Sequence, residues 1–302
     1  MPGNNSTHRA KGILCGMAAA VGYGTIPLFT LPLYSAGIGA NSVLFYRYAI
    51  AVIIAFFLHK VIRRKSLKIS LRECLLLAGM GILFSISSLT LFSAFRHIDA
   101  GLACTMLFTY PIMTAVIMAA FFKEKPGWGL IAAITLATAG IALLYNGGTD
   151  VRMNFAGAAL VFASALSYAV YIVAIRQCKA LNAMDGEKLS FYVMLFGLMA
   201  FFANLRFGID LQPLHSLALW LYPAALAVFP TVLSLETLTV SIRIIGPSSA
   251  AILGTLEPIT AITIGVIAFG EHLTLRIICG IILVLSGVII VSAFSSRITD
   301  KK

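Results

Sequence analysis

The chain has 302 residues, of which 60% are hydrophobic and only 11% are charged, and its formal net charge is +11. Soluble domains average about 25% charged residues, so this composition excludes a globular fold with a water-exposed surface. The connections between the long apolar runs are short, which also excludes a soluble catalytic or nucleic-acid-binding module of useful size. We therefore expect an all-α membrane protein.

Ten apolar runs approach or exceed the length of about 20 residues that a helix needs to cross the hydrocarbon layer. The first run is longer than a signal-peptide core and lacks a convincing cleavage site, so we interpret it as a span. The seventh run is the shortest, and the eighth contains Pro223 and Pro230. In chain order the predicted spans are 12–34, 42–59, 74–95, 100–122, 127–145, 155–175, 189–205, 216–242, 246–269 and 277–294.

The positive charge is distributed unevenly, and this predicts the orientation of the chain. With the N-terminus in the cytoplasm, 17 of the 22 Lys and Arg residues fall on the inner side, four fall in outer loops, and Arg47 lies within a span. Cytoplasmic loops of membrane proteins carry such an excess of positive charge. We interpret the basic stretch 60–72 as an orientation signal beside anionic membrane lipid, and not as a nucleic-acid site. Both termini are predicted to be cytoplasmic.

Cysteine and histidine give no indication of a metal or a cofactor. The five cysteines are scattered, mostly within predicted spans, and show neither metal-ligand spacing nor a paired framework. The five histidines do not cluster with them, and four of the five lie near span ends. No carboxylate pair shares a helix face. We therefore expect no metal, no cofactor and no intramembrane enzyme.

The two halves of the chain repeat each other at shifts of 145 and 147 residues. Matches between apolar residues are expected by chance in such a composition. Arg, Glu and Pro are scarce in these regions, so matches among them in the gap-free 147-residue register are informative. The matching pairs are Gly12 with Gly157, Tyr23 with Tyr168, Arg96 with Arg243, Pro111 with Pro258, Glu124 with Glu271, and Gly140 with Gly287.

The repeat divides the chain into two halves, 12–145 and 155–294, between a cytoplasmic segment at 1–11 and a cytoplasmic tail at 295–302. Each half holds five predicted spans, an odd number, so the second half must cross the membrane in the opposite sense. Inverted repeats around a site near the midplane recur in secondary transporters, whose two halves exchange conformations. We therefore predict ten transmembrane helices, built as two inverted five-helix repeats around a central cavity.

Several of these residues resemble the EamA domain of the drug/metabolite transporter superfamily. The resemblance lies in Leu256-Glu257-Pro258, in Gly270-Glu271, and in the first-half counterparts Tyr110-Pro111 and Glu124. It covers essentially the whole chain, and Arg47 and the joint at Ala100-Gly101 also fit. The second half departs from the first in lacking an Arg equivalent to Arg47.

The resemblance implies an exporter of amino acids or related metabolites in the plasma membrane of a bacterium, its inner membrane. It also implies that helices 1–4 and 6–9 surround the cavity while helices 5 and 10 lie to the side. The helix starts of the family are often rich in Trp, whereas this chain has Tyr23 and Tyr168, which leaves the substrate open. Proton coupling is also left open.

Glu257 is the first candidate for substrate binding. It lies eleven residues into the predicted ninth helix, so at 1.5 Å per residue it sits roughly 16 Å deep. A carboxyl at that depth is costly and faces protein or water, either as a binding group or as a neutral tie between helices. Pro258 removes one backbone hydrogen bond, and Pro111 does so at the equivalent place, so both are predicted to distort their helices.

Arg47 lies about 8 Å from the outer surface by the same rise. It either snorkels outward or gives the cavity a positive charge for a substrate carboxylate or for Glu257. Glu236 lies six residues from the inner end of its helix and is predicted to be a gating or rim residue.

The remaining candidates are aromatic and hydroxyl side chains at mid-span. Symmetry-related faces should line one cavity, which makes Tyr23, Tyr110 and Tyr168 candidates in addition to their packing role. A serine there either binds substrate or bonds across helices. Glu124 and Glu271 lie at helix ends and are predicted to be structural. Three residues on one face of helix 3 complete the candidate set, namely Ser85, Ser88 and Phe92.

These observations favour a transporter that exports amino acids or related small metabolites by alternating access. The alternative is an exporter of another solute class, such as a drug, a nucleobase or a sugar derivative. A channel is less favoured because no charge ring or filter-like loop is visible. A membrane scaffold would not explain a midplane carboxyl within an inverted repeat.

Overall fold

The computed structural model describes residues 3–64, 66–122, 128–145, 154–245, 250 and 253–299. Within these ranges, all regular secondary structure is helical. A membrane-embedded chain satisfies its backbone hydrogen bonds internally, and a helix does so within one segment. The all-α prediction is therefore confirmed.

Fourteen α-helices are named here in chain order. The helices α3 and α11 continue into π-helical turns at Phe57–Ile62 and Val228–Leu233, and a short 3₁₀ turn follows α10. The α-helices are α1 (Gly3–Gly24), α2 (Ile26–Ser35), α3 (Ala40–Phe56), α4 (Leu71–Ala94), α5 (Ala100–Leu107), α6 (Tyr110–Phe122), α7 (Trp128–Tyr145), α8 (Phe155–Gln177), α9 (Lys179–Asn182), α10 (Gly186–Asn204), α11 (Leu217–Ala227), α12 (Ser234–Ile245), α13 (Leu256–Phe269) and α14 (Leu275–Thr299).

Seven helical stretches in the described part of the chain are long and apolar enough to cross a membrane, and three further apolar helices are shorter. Each of the ten predicted spans overlaps one of these stretches, while the count of ten crossings stays a prediction. The seven are His8–Ser35, Ala40–Ile62, Leu71–Ala94, Ala100–Phe122, Phe155–Gln177, Gly186–Asn204 and Leu217–Ile245, and the three are Ile131–Leu143, Leu256–Phe269 and Leu275–Ile290.

Several helix ends lie outside the predicted spans. The first helix begins at Gly3, within the segment 1–11 that was predicted to precede the spans, and the last continues to Thr299. The helix before the basic stretch extends to Ile62 instead of ending at 59. Hydropathy marks the apolar part of a helix, whereas helical hydrogen bonding continues into polar flanking residues.

Three predicted spans are interrupted near a proline. The first breaks at Thr25, the fourth at Phe108 and Thr109, and the ninth at Gly254 and Thr255. Pro27, Pro111 and Pro258 follow within three residues of these breaks and lie in the first turn of the helix that resumes, where the missing N–H of proline costs no helical hydrogen bond. A predicted continuous helix over 246–269 was therefore wrong at 254–255.

Threonine hydroxyls satisfy some of the carbonyl groups that the breaks leave open. Thr25 Oγ1 donates to the Gly22 carbonyl at 2.6 Å, and Thr109 Oγ1 donates to the Met106 carbonyl at 2.8 Å. In the π-helical turn beside Pro230, Thr231 Oγ1 donates to the Leu226 carbonyl at 2.8 Å. Irregular backbone inside a membrane protein is tolerated where such partners are present.

The helices pack so that both halves of the chain meet in the centre. The helix α1 packs against α12, α4 packs against α8, and α10 packs against both α3 and α4. The helices α7 and α14 pack against each other through glycines. A Cβ at Gly140 would lie 2.6 Å from the Gly280 carbonyl oxygen, and one at Gly287 would lie 2.8 Å from the Ala133 carbonyl oxygen.

Candidate substrate cavity

A cavity of about 220 Å³ lies where the two halves meet. It is bounded by α1, α3, α4, α8 and α12, and by the helix breaks that precede α6 and α13. Because these breaks bring backbone and polar side chains to the wall, the cavity combines apolar and polar groups. The lining residues are Gly16, Ala19, Ala20, Tyr23, Arg47, Phe84, Ser87, Ser88, Leu91, Phe92, Leu107, Phe108, Tyr110, Tyr168, Ser234, Leu235, Leu238, Ile242, Ala250, Gly254 and Glu257.

Arg47 supplies a positive charge to this cavity. Its side chain is only 5% exposed, and its Nε donates to Thr231 Oγ1 at 2.9 Å. The guanidinium carbon lies 5.6 Å from the centroid of the Phe92 ring, within cation–π range. The side chain is therefore held inward, and the snorkelling alternative is not the one that the structure adopts.

Glu257 lines the same cavity from the first turn of α13. Its backbone N–H donates to the Gly254 carbonyl at 2.9 Å, which closes the turn at the helix break. The end of α1 lies against this turn, since a Cβ at Gly24 would lie 2.6 Å from the Glu257 carbonyl oxygen. Glu257 is half-buried, and its position at the wall explains the surface that stays accessible.

Three tyrosines form an aromatic wall of the cavity. The rings of Tyr110 and Tyr168 meet edge-on with centroids 4.7 Å apart, and Phe84 lies 6.0 Å from Tyr168. Tyr23 lines the cavity from α1. The structure thus brings together the three tyrosines that the repeat register singled out. Tyr23 and Tyr110 belong to the first half of the chain, and Tyr168 belongs to the second half.

The serine face predicted on helix 3 is only partly in the cavity. Ser88 and Phe92 line it, whereas Ser85 donates to the Gly81 carbonyl at 2.7 Å and faces Gly197 of α10. A face defined by i, i+3 and i+7 spacing is wider than the cavity, so its edge packs against the neighbouring helix. Ser85 therefore lies outside the cavity wall.

Sequence reasoning missed Ser87 and Ser234, which also line the cavity. Ser87 Oγ donates to the Ser164 carbonyl at 3.0 Å, and Ser234 Oγ donates to the Ala19 carbonyl. Ser87 and Ser234 are 147 residues apart, and Ala19 and Ser164 are 145 apart, which are the shifts of the internal repeat. The repeat register, extended to polar residues, would have found both serines.

Glu236 does not line the cavity but belongs to a charged cluster at the end of α3. Arg63 contacts both carboxylates, with distances of 2.7 Å to Glu187 and 2.6 Å to Glu236. His59 lies between the same two residues, 3.2 Å from Glu187 and 4.0 Å from Glu236. The hydrogen bond to Glu236 raises the pKa of the Arg63 guanidinium. Arg63 thus bridges the two carboxylates, and the ligand atoms of His59, Glu187 and Glu236 lie within 4.8 Å of one another.

Glu271 lies in the loop between α13 and α14, outside the membrane-spanning segments. Its carboxylate accepts the Ala100 N–H at 2.8 Å and the Gly101 N–H at 3.3 Å. It therefore caps the start of α5, a helix of the other half, and not the helix beside it. Burial, followed by the charge of Asp99, raises the pKa of the Glu271 carboxyl to about 7. Glu124, its partner in the repeat, lies outside the described residues.

This chain is similar in fold to a protein whose crystal structure is known. The alignment of the two structures covers 96% of this chain and 99% of the other chain, with a TM-score of 0.63 at 18% sequence identity. This likeness concerns the fold alone. Since the match extends over both halves, the arrangement described above is that of a known protein fold.

Two curated relatives are similar in sequence. An uncharacterized transporter of Synechocystis sp. is 29% identical over 216 residues, which are 68% of this chain and 63% of that protein. An uncharacterized transporter of Archaeoglobus fulgidus is 23% identical over 217 residues, 71% of this chain and 75% of that protein. The match therefore spans less than two thirds of the Synechocystis protein.

The EamA-like transporter family matches the chain twice, over residues 10–146 and again over residues 155–293. The two matched segments coincide closely with the two predicted repeats. They also contain the pairs on which the resemblance was based, Tyr110-Pro111 and Glu257-Pro258. The family resemblance drawn from the sequence is thereby confirmed, and the chain belongs to the EamA-like transporter family.

Proposed function

We propose that this protein transports amino acids or related small metabolites across the membrane by alternating access, and that net movement is outward. The observation that carries the proposal is one cavity lined by both Arg47 and Glu257. A buried cation and a carboxyl in one small cavity match the carboxylate and the ammonium of an amino acid. Ionisable groups at such depth are costly, which favours a functional role over a packing role.

The chemistry of the wall supports a small zwitterionic substrate. A guanidinium binds a carboxylate through two parallel hydrogen bonds, which gives geometry as well as charge. The faces of Tyr110 and Tyr168 suit an ammonium group or an apolar side chain of the substrate. The volume of about 220 Å³ lies below the range of roughly 300–1,000 Å³ typical of drug-sized ligands. It therefore favours small metabolites over bulky drugs.

The inverted repeat is part of this proposal, and the cavity wall supports it. Residues at repeat-equivalent positions line the cavity from both halves, as Tyr23 and Tyr168 do. Further pairs are Ser87 with Ser234, Leu91 with Leu238, Leu107 with Gly254, and Tyr110 with Glu257. Alternating access needs two halves that exchange conformations around one site, and paired lining residues provide such a site.

The orientation also belongs to the proposal. We place both termini in the cytoplasm of a bacterium and the protein in its inner membrane, on the basis of the 17-to-4 distribution of Lys and Arg. In this orientation the cavity runs from the centre of the bundle toward the cytoplasmic ends of α1 and α12. Gly16 and Ile242 lie at that end of the cavity.

The experiment is uptake of a labelled amino-acid panel by proteoliposomes that contain the purified protein. We expect accumulation of at least one amino acid above protein-free liposomes and above the Arg47→Ala variant. Flux of nucleobases or sugar derivatives with no amino-acid flux would replace the substrate class and keep the transporter. If no solute of either panel moves, the transport proposal fails.

A further inference from the structure

Ser88 and Tyr48 form a hydroxyl pair at the edge of the cavity. The Tyr48 hydroxyl lies 2.8 Å from Ser88 Oγ and joins α3 to α4. Ser88 lines the cavity and is half-buried, whereas Tyr48 lies in the core with 2% of its surface exposed. The cavity wall therefore contains a hydroxyl that a buried residue holds from behind.

The surroundings of Tyr48 determine which hydroxyl donates. In the described part of the chain, Ser88 Oγ is the only hydrogen-bonding partner of the Tyr48 hydroxyl. The Tyr48 ring packs against the rings of Phe84 and Phe201, with centroids 6.4 Å and 5.1 Å away, and these rings provide no oxygen acceptor. A buried O–H without an acceptor is costly, so Tyr48 donates to Ser88.

Ser88 then keeps its own proton for a ligand. A serine inside a helix often donates to the carbonyl four residues earlier, as Ser85 does to the Gly81 carbonyl at 2.7 Å. Among the described residues, Ser88 has no such bond, because it accepts from Tyr48 instead. Its O–H therefore has no acceptor within the described residues and is available to a solute in the cavity.

This available donor lies beside the buried guanidinium. Ser88 and Phe92 are one helical turn apart on α4, and both line the cavity. The guanidinium carbon of Arg47 lies 5.6 Å from the centroid of the Phe92 ring. Residues four apart on a helix have Cβ atoms roughly 5–6 Å apart, so the hydroxyl and the guanidinium flank the same part of the wall. A carboxylate has two acceptor oxygens and can accept from both groups.

The second half of the chain is apolar where the first half has this polar set. The helices α3 and α10 begin 146 positions apart, and the repeat register that relates α4 to α12 is 147. All three counterparts are apolar, two of them buried and one in the cavity wall. The fold thus forms with apolar side chains at these positions, which indicates that the polar set serves recognition and not packing. The pairs are Arg47 with Val193, Tyr48 with Met194, and Ser88 with Leu235.

We propose that Ser88 is a second donor to the carboxylate of the substrate, beside Arg47, and that Tyr48 is the residue that positions it. The guanidinium supplies charge and two parallel N–H groups. The hydroxyl adds a hydrogen bond that is roughly twice as strong to an ionised acceptor as to a neutral one. The site then selects solutes with a free carboxylate over their amides and esters. The inference rests on the proposed function, because it assigns the contacts of the transported solute.

The test measures the preference for a carboxylate over the corresponding amide. Proteoliposomes take up labelled L-leucine, with unlabelled L-leucine and L-leucinamide as competitors. At about pH 6.5 both competitors carry the ammonium, and they share one side chain. The ratio of the two half-inhibitory concentrations does not depend on the amount of active protein, so a variant that folds less well is still measured. Where the panel favours another amino acid, that amino acid and its α-amide replace this pair.

Removal of the hydroxyl should reduce the preference for the carboxylate. We expect Ser88→Ala to lower it roughly fivefold, since the lost bond is stronger to a carboxylate than to an amide. Ser88→Thr keeps a hydroxyl and should retain the preference of the parent. Tyr48→Phe should lower it roughly threefold, because Ser88 then turns to the Phe84 carbonyl of its own helix. In the Ser88→Ala background, Tyr48→Phe should have no further effect on the preference.

Tyr46→Phe is the matched control. Tyr46 lies on the same helix as Tyr48, donates to the Gln212 carbonyl at 3.0 Å and does not line the cavity. The variant should keep the preference of the parent even where it lowers the melting temperature. An unchanged preference in Ser88→Ala, or a Tyr48→Phe effect that persists in the Ser88→Ala background, would overturn this inference and leave the proposed function intact. If the parent accumulates no amino acid at all, the proposed function fails, and this inference fails with it.

Discussion

The Nε of Arg47 donates to the hydroxyl of Thr231 at 2.9 Å and thereby joins α3 to the π-helical turn that contains Pro230. Thr231 in turn donates to the Leu226 carbonyl, so its hydroxyl accepts from one half of the chain and donates within the other. A single threonine at an irregular turn thus fixes the direction of the buried guanidinium. In the described part of the chain, the two terminal nitrogens of the guanidinium have no hydrogen-bonding partner, and in the proposed function they bind the substrate carboxylate.

Replacement of Arg47 should abolish recognition of a substrate carboxylate. We expect Arg47→Ala to reduce transport at least tenfold, which corresponds to about 1.4 kcal/mol in the limiting step. Arg47→Lys keeps the charge but not the planar fork, so it should recover only part of the activity. Initial rates of uptake into proteoliposomes measure both variants.

Arg96 offers a matched control for the loss of an arginine, since it stacks on Tyr34 at 5.1 Å and lies away from this cavity. Arg96→Ala should keep most of the uptake. Equal losses in Arg96→Ala and Arg47→Ala would mean that Arg47 acts through stability and not through substrate.

Glu257 should be required for transport and not for folding. Glu257→Gln keeps the shape of the side chain and removes its charge and its titratable proton. We expect normal yield and a transport rate reduced about tenfold or more, equivalent to ~1.4 kcal/mol. Glu257→Ala should do the same and also lower the thermal midpoint. Uptake rates and melting curves in detergent separate the two effects.

Glu124→Gln removes a carboxylate at a predicted helix end and should be milder than Glu257→Gln. Full transport by Glu257→Gln at every pH would show that Glu257 is a neutral tie between helices.

The internal repeat predicted the residues that line the cavity better than the spacing of side chains along a single helix did. Tyr23, Tyr110 and Tyr168 were found because repeat-equivalent positions face one site. Ser85 was placed by helical spacing alone, and it faces α10 instead. A helical wheel gives the angle between side chains but not the direction of the neighbouring helix, which only the packing determines.

Helix breaks and side-chain directions were harder to predict than helix existence. Long apolar runs specify helices strongly, whereas Gly254 and Pro258 did not show by themselves where the ninth helix would stop. The inward direction of Arg47 depends on Thr231, which is 184 residues away. Such long-range contacts have no local pattern in the sequence, so the sequence alone supports both interpretations of Arg47.

The orientation predicted from charge can be tested with single cysteines. Ala36 and His215 are exposed and belong to predicted outer loops, and Arg72 is exposed and belongs to the predicted inner loop. In intact cells, Ala36→Cys and His215→Cys should react with an impermeant maleimide, while Arg72→Cys should react only after lysis. Labelling of Arg72→Cys alone in intact cells would mean that the protein has the opposite orientation.

The Glu271 carboxyl should make stability depend on pH between its ordinary pKa and its shifted one. Burial, and then the charge of Asp99, raises this pKa from 4.5 to about 7 in the folded protein, although the N–H groups of Ala100 and Gly101 act in the opposite direction. The folded state then binds more protons than the unfolded state across this window. The stabilisation is therefore complete below about pH 4.5 and is lost as the pH rises toward 7.

Glu271→Gln should remove this dependence, because an amide oxygen can still accept from the Ala100 N–H but does not titrate. Relative to the variant, the wild-type protein should lose roughly 1–2 kcal/mol between about pH 4.5 and pH 7.5, after allowance for partial exposure of the carboxyl. Melting curves in detergent across this range measure the difference. Asp210→Asn removes an exposed carboxylate and should keep the wild-type pH dependence. If the curves of Glu271→Gln and wild type run parallel from acid to neutral pH, then the ionisation of Glu271 is not linked to folding and its contact with α5 is only a neutral cap.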